Sequence, residues 1–296
     1  MSRKMETSWD ARLHKAAKEG DLYKLQEILD SGRVFVDCVD QSGIKPLMWA
    51  AGNGHEAACV LLIDEGAQVN AMKPDGATAL MFASQNGHGK VVETLLKEGS
   101  DPNLKTKSIG GTALLIAAQS GHTQICKTLL DNGANLYDCL ADGANAIFLS
   151  AQNGHVETII ELANRGCPIE KTRNDGTNAL WVSCQMGHEE VVNELLKRNI
   201  KDVERNDGAT GLFKATQKGN EAVVKLLLDR NPNLFLLNNG ESVLHAAALF
   251  GHLNIAKLLI EAGANPQTKN KHGETPLALA QYMNYDQIIN LLRKVK

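Results

Sequence analysis

The pair Gly-His recurs at 54–55, 87–88, 121–122, 154–155, 187–188 and 251–252. Gly20-Asp21 precedes the series, and Gly219-Asn220 fills the gap within it. Counted from Gly20, the steps are 34, 33, 34, 33, 33, 32 and 32 residues. A fixed period of this size predicts a solenoid of small stacked units, each burying its apolar face only against its neighbours. Such a stack leaves one long surface for recognition, so the period alone predicts a binding role.

The stretch from Asp75 to Lys107 shows what one unit contains. Asp75-Gly76 predicts a tight turn. Thr78 to Ala83 starts a short helix, and Gly87-His88 ends it. Val91, Val92, Leu95 and Leu96 fall at the spacing of a buried helical stripe. Gly99 is placed to cap that second helix, and Pro102 turns the chain toward the next hairpin. The other units repeat the plan. A hairpin glycine stands at 43, 76, 110, 143, 176, 208, 240 and 273, with an aliphatic residue four positions on. The second helix carries Leu62, Leu95, Leu129, Leu162, Leu195, Leu227, Leu259 and Leu292 at one phase. Its cap is glycine in five units and asparagine at Asn199 and Asn231, the next-best residue in left-handed geometry.

Thr275-Pro276-Leu277, Leu244-His245-Ala246-Ala247 and Gly263-Ala264-Asn265-Pro266 resemble the signature and cap of the ankyrin repeat family, and the resemblance runs over residues 9–296. It implies an all-α repeat fold, an ankyrin-repeat solenoid of about nine stacked helix-turn-helix units with β-hairpin fingers. The expected organisation is a flexible polar N-terminus over 1–8 and a single array over 9–296. Its approximate units are 9–39, 40–72, 73–106, 107–139, 140–172, 173–204, 205–236, 237–269 and 270–296. The signature histidine is kept only at His245. Met48, Met81, Leu115, Phe148, Trp181, Phe213 and Ala278 replace it elsewhere, and these should strengthen packing between units and drop a polar tie. The first unit, from about Trp9, has Lys15, Lys18 and Glu19 where inner units are apolar or small. The last carries Arg293, Lys294 and Lys296. Polar outer faces of this kind are expected on terminal units.

Composition narrows the function classes. The chain is 43% hydrophobic and 22% charged, with a formal net charge of −3, so no nucleic acid or acidic membrane is expected as a partner. Met1 to Asp10 is polar and has no apolar signal core. No apolar run approaches the ~18–20 residues of a membrane span. The six cysteines have no framework spacing, which favours a reducing compartment, with the cytoplasm expected and the nucleus also open. A monomer is expected.

Catalytic and metal chemistry find little support. Six of the nine histidines lie in the Gly-His mark. Stacked helices stand ~8–10 Å apart, too far for equivalent imidazoles to share a zinc. A structural role at the turn is expected instead. Gly52-Asn53-Gly54-His55-Glu56-Ala57 fits G-x-G-x-x-A, but a helix rather than a strand precedes it. Cys126 and Cys184 sit at small apolar helix positions, where thiols are inert packing. Neither catalytic residue, metal site nor cofactor is expected.

The leading expectation is a non-enzymatic scaffold or adaptor that binds a protein partner through the concave face implied by the family resemblance. Two residues before five consecutive marks stand Gln85, Gln119, Gln152, Gln185 and Gln217, followed by Asn86, Ser120, Asn153, Met186 and Lys218. Stacked, the glutamines would form a polar ladder roughly 40 Å long. Each amide offers two donors and an acceptor to a peptide. Alternatively, the glutamine is a copied structural residue that ties its helix to a neighbouring finger. The fingers carry the opposite charges Lys73/Asp75, Arg173/Asp175 and Arg205/Asp207, expected to neutralise one another. The least regular units are the sixth to eighth, with 32-residue steps and Lys214 in an apolar position. There a change of stacking or a docked partner is expected. The alternative function, a small-molecule or nucleotide-ligand regulatory module, rests on Trp181, Phe213 and Lys214.

Overall fold

The computed structural model describes residues 7–235, 237 and 240–295. These form an all-α repeat solenoid of paired short helices. By compactness the chain divides into two units, Met1–Ser150 with Glu157–Cys167, and Ala151–Val156 with Pro168–Lys296.

The first unit contains four complete helix pairs. Its inner helices are α1 (Ser8–Glu19), α3 (Pro46–Gly52), α5 (Ala79–Asn86) and α7 (Ala113–Gln119). Each is followed by an outer helix: α2 (Leu22–Asp30), α4 (Glu56–Asp64), α6 (Gly89–Lys97) and α8 (Thr123–Asp131). Next come α9 (Ala146–Gln152) and α10 (Val156–Asn164). The second unit contains inner helices α11 (Ala179–Met186), α13 (Gly211–Lys218), α15 (Val243–Phe250) and α17 (Pro276–Tyr282). Its outer helices are α12 (Glu189–Lys197), α14 (Glu221–Leu228), α16 (Leu253–Glu261) and α18 (Asp286–Lys294).

Local chemistry explains why the inner helices start where they do. Two residues after the hairpin glycine comes a side chain that accepts a hydrogen bond from the helix's own backbone: Thr78 from Met81, Thr112 from Leu115, Asn178 from Trp181 and Thr210 from Phe213. These caps satisfy amides that no helical carbonyl can reach. In α3 the cap is replaced by Pro46, whose missing N–H would have been unpaired there anyway. Small residues then let the inner helices approach: Ala50, Ala83, Ala117, Ala215, Ala247 and Ala280 are wholly buried. The in-phase leucines of the outer helices, Leu62 to Leu292, are buried as their spacing predicts.

The polar lead-in expected over 1–8 ends earlier than read. Thr7 caps α1 in a reciprocal box with Asp10, because a hydroxyl and a carboxylate at that spacing satisfy two free amides, and Ser8 is already helical. Residues 1–6 lie outside the described residues. The fingers also need a qualification. They are tight turns closed by two backbone bonds, as in Lys73 N–H to Ala77 C=O at 2.9 Å with Gly76 N–H to Lys73 C=O at 2.8 Å, and Arg173 N–H to Thr177 C=O at 2.8 Å with Gly176 N–H to Arg173 C=O at 3.0 Å. A single isolated bridge, Cys139 to Asn145, is their only β pairing among the described residues. Some neighbouring fingers are joined by a backbone bond, such as Lys107 N–H to Asp75 C=O and Asn206 N–H to Asp175 C=O, and in both of these a side-chain bond, from Lys107 Nζ to Pro74 C=O and from Asn206 Nδ2 to Asn174 C=O, is added. Asn199 and Asn231 adopt the left-handed cap expected of them, at φ 59° and 50°. Asn284 does the same at φ 59°.

Candidate functional site

The Gly-His mark forms a lock between successive repeats, seen at His55, His88, His122, His188 and His252. The His88 Nε2–H donates to the carbonyl of Gly52 (3.1 Å), and its ring lies against Gly54. In the same way His55 donates to Lys18 C=O, His122 to Gln85 C=O, His188 to Gln152 C=O and His252 to Gln217 C=O, at 3.0–3.2 Å. These carbonyls belong to the last turn of an inner helix, where no helical amide remains to bond them. Asn220 replaces the ring in one repeat and donates its amide to Cys184 C=O (3.0 Å). Tyr285 replaces it in another and packs on Gly251. Asn284-Tyr285 is thus a further mark, 33 residues after Gly251, hidden in the sequence because both residue types change. The G-x-G-x-x-A stretch at 52–57 is the turn from α3 to α4, with no strand before it.

The signature position behaves less uniformly than expected. Met48, Met81, Leu115, Phe148 and Phe213 are buried apolar packing. Trp181, however, keeps the polar tie: its indole N–H donates to Ala209 C=O (2.8 Å), one residue past the next hairpin glycine. His245 Nε2–H makes the equivalent bond to Glu274 C=O (3.0 Å). Indole and imidazole both combine apolar bulk with a ring donor. Ala278 is exposed and packs against nothing bulky. Trp181 is only 3% exposed and Phe213 is buried. Neither ring can stack on a ligand, so the small-molecule or nucleotide reading of Trp181, Phe213 and Lys214 fails.

The glutamines end the inner helices. Gln85 and Gln119 belong to the first unit, and Gln152, Gln185 and Gln217 to the second. Gln85 and Gln119 are exposed, and the other three are half-buried. The side chains of Gln85, Gln152 and Gln185 make no hydrogen bond to another described residue, so at these positions no amide ties the helix to a finger. Gln217 is different, because its Oε1 accepts from Lys214 Nζ (3.0 Å). Of the residues that follow, Asn86 donates to Gly52 C=O (2.7 Å) and is therefore partly structural. Ser120 is half-buried. Asn153, Met186 and Lys218 are exposed.

The finger charges pair within their own repeats. Lys73 meets Asp75 at 2.7 Å, Arg173 meets Asp175 at 3.8 Å and Arg205 meets Asp207 at 3.7 Å. Burial pushes the Asp175 carboxyl up. The Thr177 hydroxyl and amide, with the guanidinium groups of Arg173 and Arg205, outweigh that effect and hold it below its ordinary value. Surface pairs of this kind contribute ~0–1 kcal/mol each.

In the sixth to eighth repeats the departure from the repeat plan is centred on Asp202, a residue the sequence reading passed over. Its buried carboxylate accepts the backbone amides of Gly211 (2.6 Å) and Leu212 (2.9 Å) at the start of α13. Burial pushes this carboxyl up to about 6, against the two amides and with help from Glu204. A Cβ at Gly211 would stand 2.7 Å from its Oδ1, which explains a glycine where other repeats have Ala79, Ala113 or Ala179. That lone glycine is the mark by which the arrangement could have been read. Asp202 lines a cavity of about 400 Å³ with Ile200, Leu227, Arg230 and Pro232.

Three of the thiols, Cys59, Cys126 and Cys184, are packing groups. Burial pushes Cys59 and Cys126 up to about 12 and raises Cys184 as well, which leaves no thiolate at these three positions near neutral pH. No helix among the described residues is long and apolar enough to cross a membrane.

A family model for ankyrin repeats (three copies) matches residues 13–106, 74–139, 114–207, 149–236, 190–270 and 212–296. Among individual proteins, ankyrin repeat domain-containing protein 29 from Danio rerio is 44% identical over 73 residues, 25% of this chain and 24% of that protein. Its Homo sapiens counterpart is 46% identical over 73 residues, with the same shares. Palmitoyltransferase akr1 from Emericella nidulans is 42% identical over 55 residues, 19% of this chain but 8% of that protein. The matched stretches thus span at most about a quarter of these relatives. With overlapping family matches from residue 13 to residue 296, and with the helix pairs, caps and fingers described above, the chain belongs to the ankyrin repeat family, whose repeats generally mediate protein–protein interaction.

Proposed function

We propose that this chain is a non-enzymatic scaffold or adaptor that captures a protein partner on the inner-helix face of its repeats, with the glutamine positions among the contacts. One observation carries this reading. At the ends of the inner helices the backbone carbonyls are consumed by the histidine lock, whereas the Gln85, Gln152 and Gln185 amides bond no described residue. Available amides at inner-helix ends suit recognition of a peptide chain, whose own groups are donors and acceptors. The imidazoles of the Gly-His marks at 55, 88, 122, 188 and 252 bond backbone carbonyls, and the thiols of Cys59, Cys126 and Cys184 lie in the core, so these groups have structural work. None of the six cysteines forms a disulfide, which supports a reducing compartment such as the cytoplasm.

The test is proximity labelling in cells with the wild type and with Gln152→Glu and Gln185→Lys, folding being checked by circular dichroism. Both changes lie on accessible helix ends and should cost less than about 0.5 kcal/mol of stability. We expect the variants to lose a set of labelled proteins that the wild type retains. An identical labelled set would remove the glutamine positions from the contact surface.

A further inference from the structure

The ends of the inner helices in the second unit differ chemically from those in the first. One residue before the mark, the first unit carries Glu19, Asn53, Asn86 and Ser120. The second carries Asn153 at its start and then Met186, Lys218, Phe250 and Met283. Met186 is 53% exposed, Phe250 43% and Met283 38%, and Tyr282 beside Met283 is 82% exposed. Helices α11, α13, α15 and α17 pack in that order, so these equivalent positions follow one another along one edge of the unit. Three steps at ~8–10 Å each spread them over about 25–30 Å. Isolated exposed apolar residues are ordinary, but here three of four successive helices expose a large apolar residue at the same repeat position.

The row is interrupted by charge of one sign. Lys218 is exposed and makes no ion pair with any described residue. One turn earlier on α13, Lys214 is half-buried, and its ammonium bonds a neutral partner, Gln217, rather than a carboxylate. The nearest acid, Asp207, is already engaged with Arg205. Burial lowers the Lys214 ammonium from its ordinary value, with Asp207 opposing and Arg205 and Lys218 adding to the effect. Two lysines at i, i+4 repel each other and leave positive potential in the middle of an apolar edge. A carboxylate placed there would relieve that repulsion.

We propose that this edge docks an acidic–apolar peptide segment of a protein partner. Its apolar side chains would cover Met186, Phe250, Tyr282 and Met283, and its Asp or Glu would meet Lys214 and Lys218. The proposal rests on the reading that inner-helix ends take a protein partner, and it names the chemistry of that partner in the second unit. The apolar contacts give affinity and the lysine pair gives selection, because an uncharged or basic peptide would leave both ammonium groups without a counter-charge.

The test uses the full chain and a phage-displayed library of random peptides of about 20 residues, long enough to span the edge as a helix or extended. Enriched peptides should combine Asp or Glu with large apolar residues. Their affinity should fall about tenfold or more with Lys218→Glu, with Lys214→Met and with Phe250→Ser, and should weaken with added salt. Lys90→Glu, an exposed charge reversal on the outer helix α6 of the first unit, is the control that should leave binding unchanged. Circular dichroism and unfolding curves identify any variant that fails to fold, and Lys218→Glu, on a fully accessible side chain, keeps the test open if another does. Enrichment of neutral or basic peptides, no enrichment at all, or undiminished binding to folded Lys218→Glu would overturn the proposal. The same peptides measured against Gln152→Glu and Gln185→Lys separate the two readings. Loss with the lysine variants alone leaves the acidic-peptide site standing without the glutamine contacts, and loss with the glutamine variants alone does the reverse.

Discussion

A Cβ on Gly54 would stand 2.6 Å from the His88 ring, whereas one on Gly66 would meet nothing within 4 Å. Both glycines have positive φ, 79° and 91°, so both resist substitution, but only the first also resists for lack of space. This difference explains why asparagine substitutes at the caps Asn199 and Asn231, where left-handed geometry is the sole demand. We predict that Gly66→Ala costs about 1–2 kcal/mol and Gly54→Ala about 2–4 kcal/mol in urea unfolding, the excess coming from ring overlap. Adding His88→Ala to Gly54→Ala should recover at least about 1 kcal/mol relative to additivity, and simple additivity would deny the lock. In the sequence both residues are glycines before or after a helix, and their period was legible. Their difference was not, because the ring that fills the space beside Gly54 arrives from the following repeat.

Helix α13 shows the same limit at the scale of an element. Its leucine, its cap Thr210 and its place in the period could all be read from the chain. Its anchoring by Asp202, nine residues before Gly211, could not, since the carboxylate folds back across an irregular loop. The Asp202 carboxyl rises from 3.8 to about 6 on folding, so its favourable contribution is full below about pH 4, declines as pH rises toward 6, and is absent above. The total is on the order of 3 kcal/mol. Between pH 4 and 6 the wild type should therefore lose stability relative to Asp202→Asn, in urea midpoints taken at each pH. A gap that does not change with pH would contradict the raised carboxyl. Trp181 gives a second check on α11. Replacing it by Phe keeps the bulk but removes one of the two hydrogen bonds on the Ala209 carbonyl, which retains the Arg205 N–H, at a cost of about 0.5–1.5 kcal/mol in the same assay. No loss of stability would mean that the indole serves only as volume. The sequence reading foresaw a lost polar tie at this position because it grouped Trp with Met and Phe by bulk and overlooked the indole donor.

For the molecule as a whole, a repeating lock frees most side chains at the inner-helix ends from structural duty. The period, the helix pairs and the caps were legible because each unit repeats its local chemistry, and repetition amplifies a weak local pattern. The proposed contact positions are legible only where residues repeat identically, as Gln85 to Gln217 do. The change to Met186, Phe250 and Met283 escaped notice because its members share exposure and polarity rather than identity. Amide hydrogen exchange of the whole chain, measured alone and with the partner recovered by proximity labelling, tests the central claim most directly. The account predicts slowed exchange at the inner-helix ends around Gln185-Met186, Gln217-Lys218 and Phe250, with the outer helices α12, α14 and α16 unchanged. Slowing centred on those outer helices, or on the cavity beside Asp202, with the inner-helix ends unaffected, would contradict it.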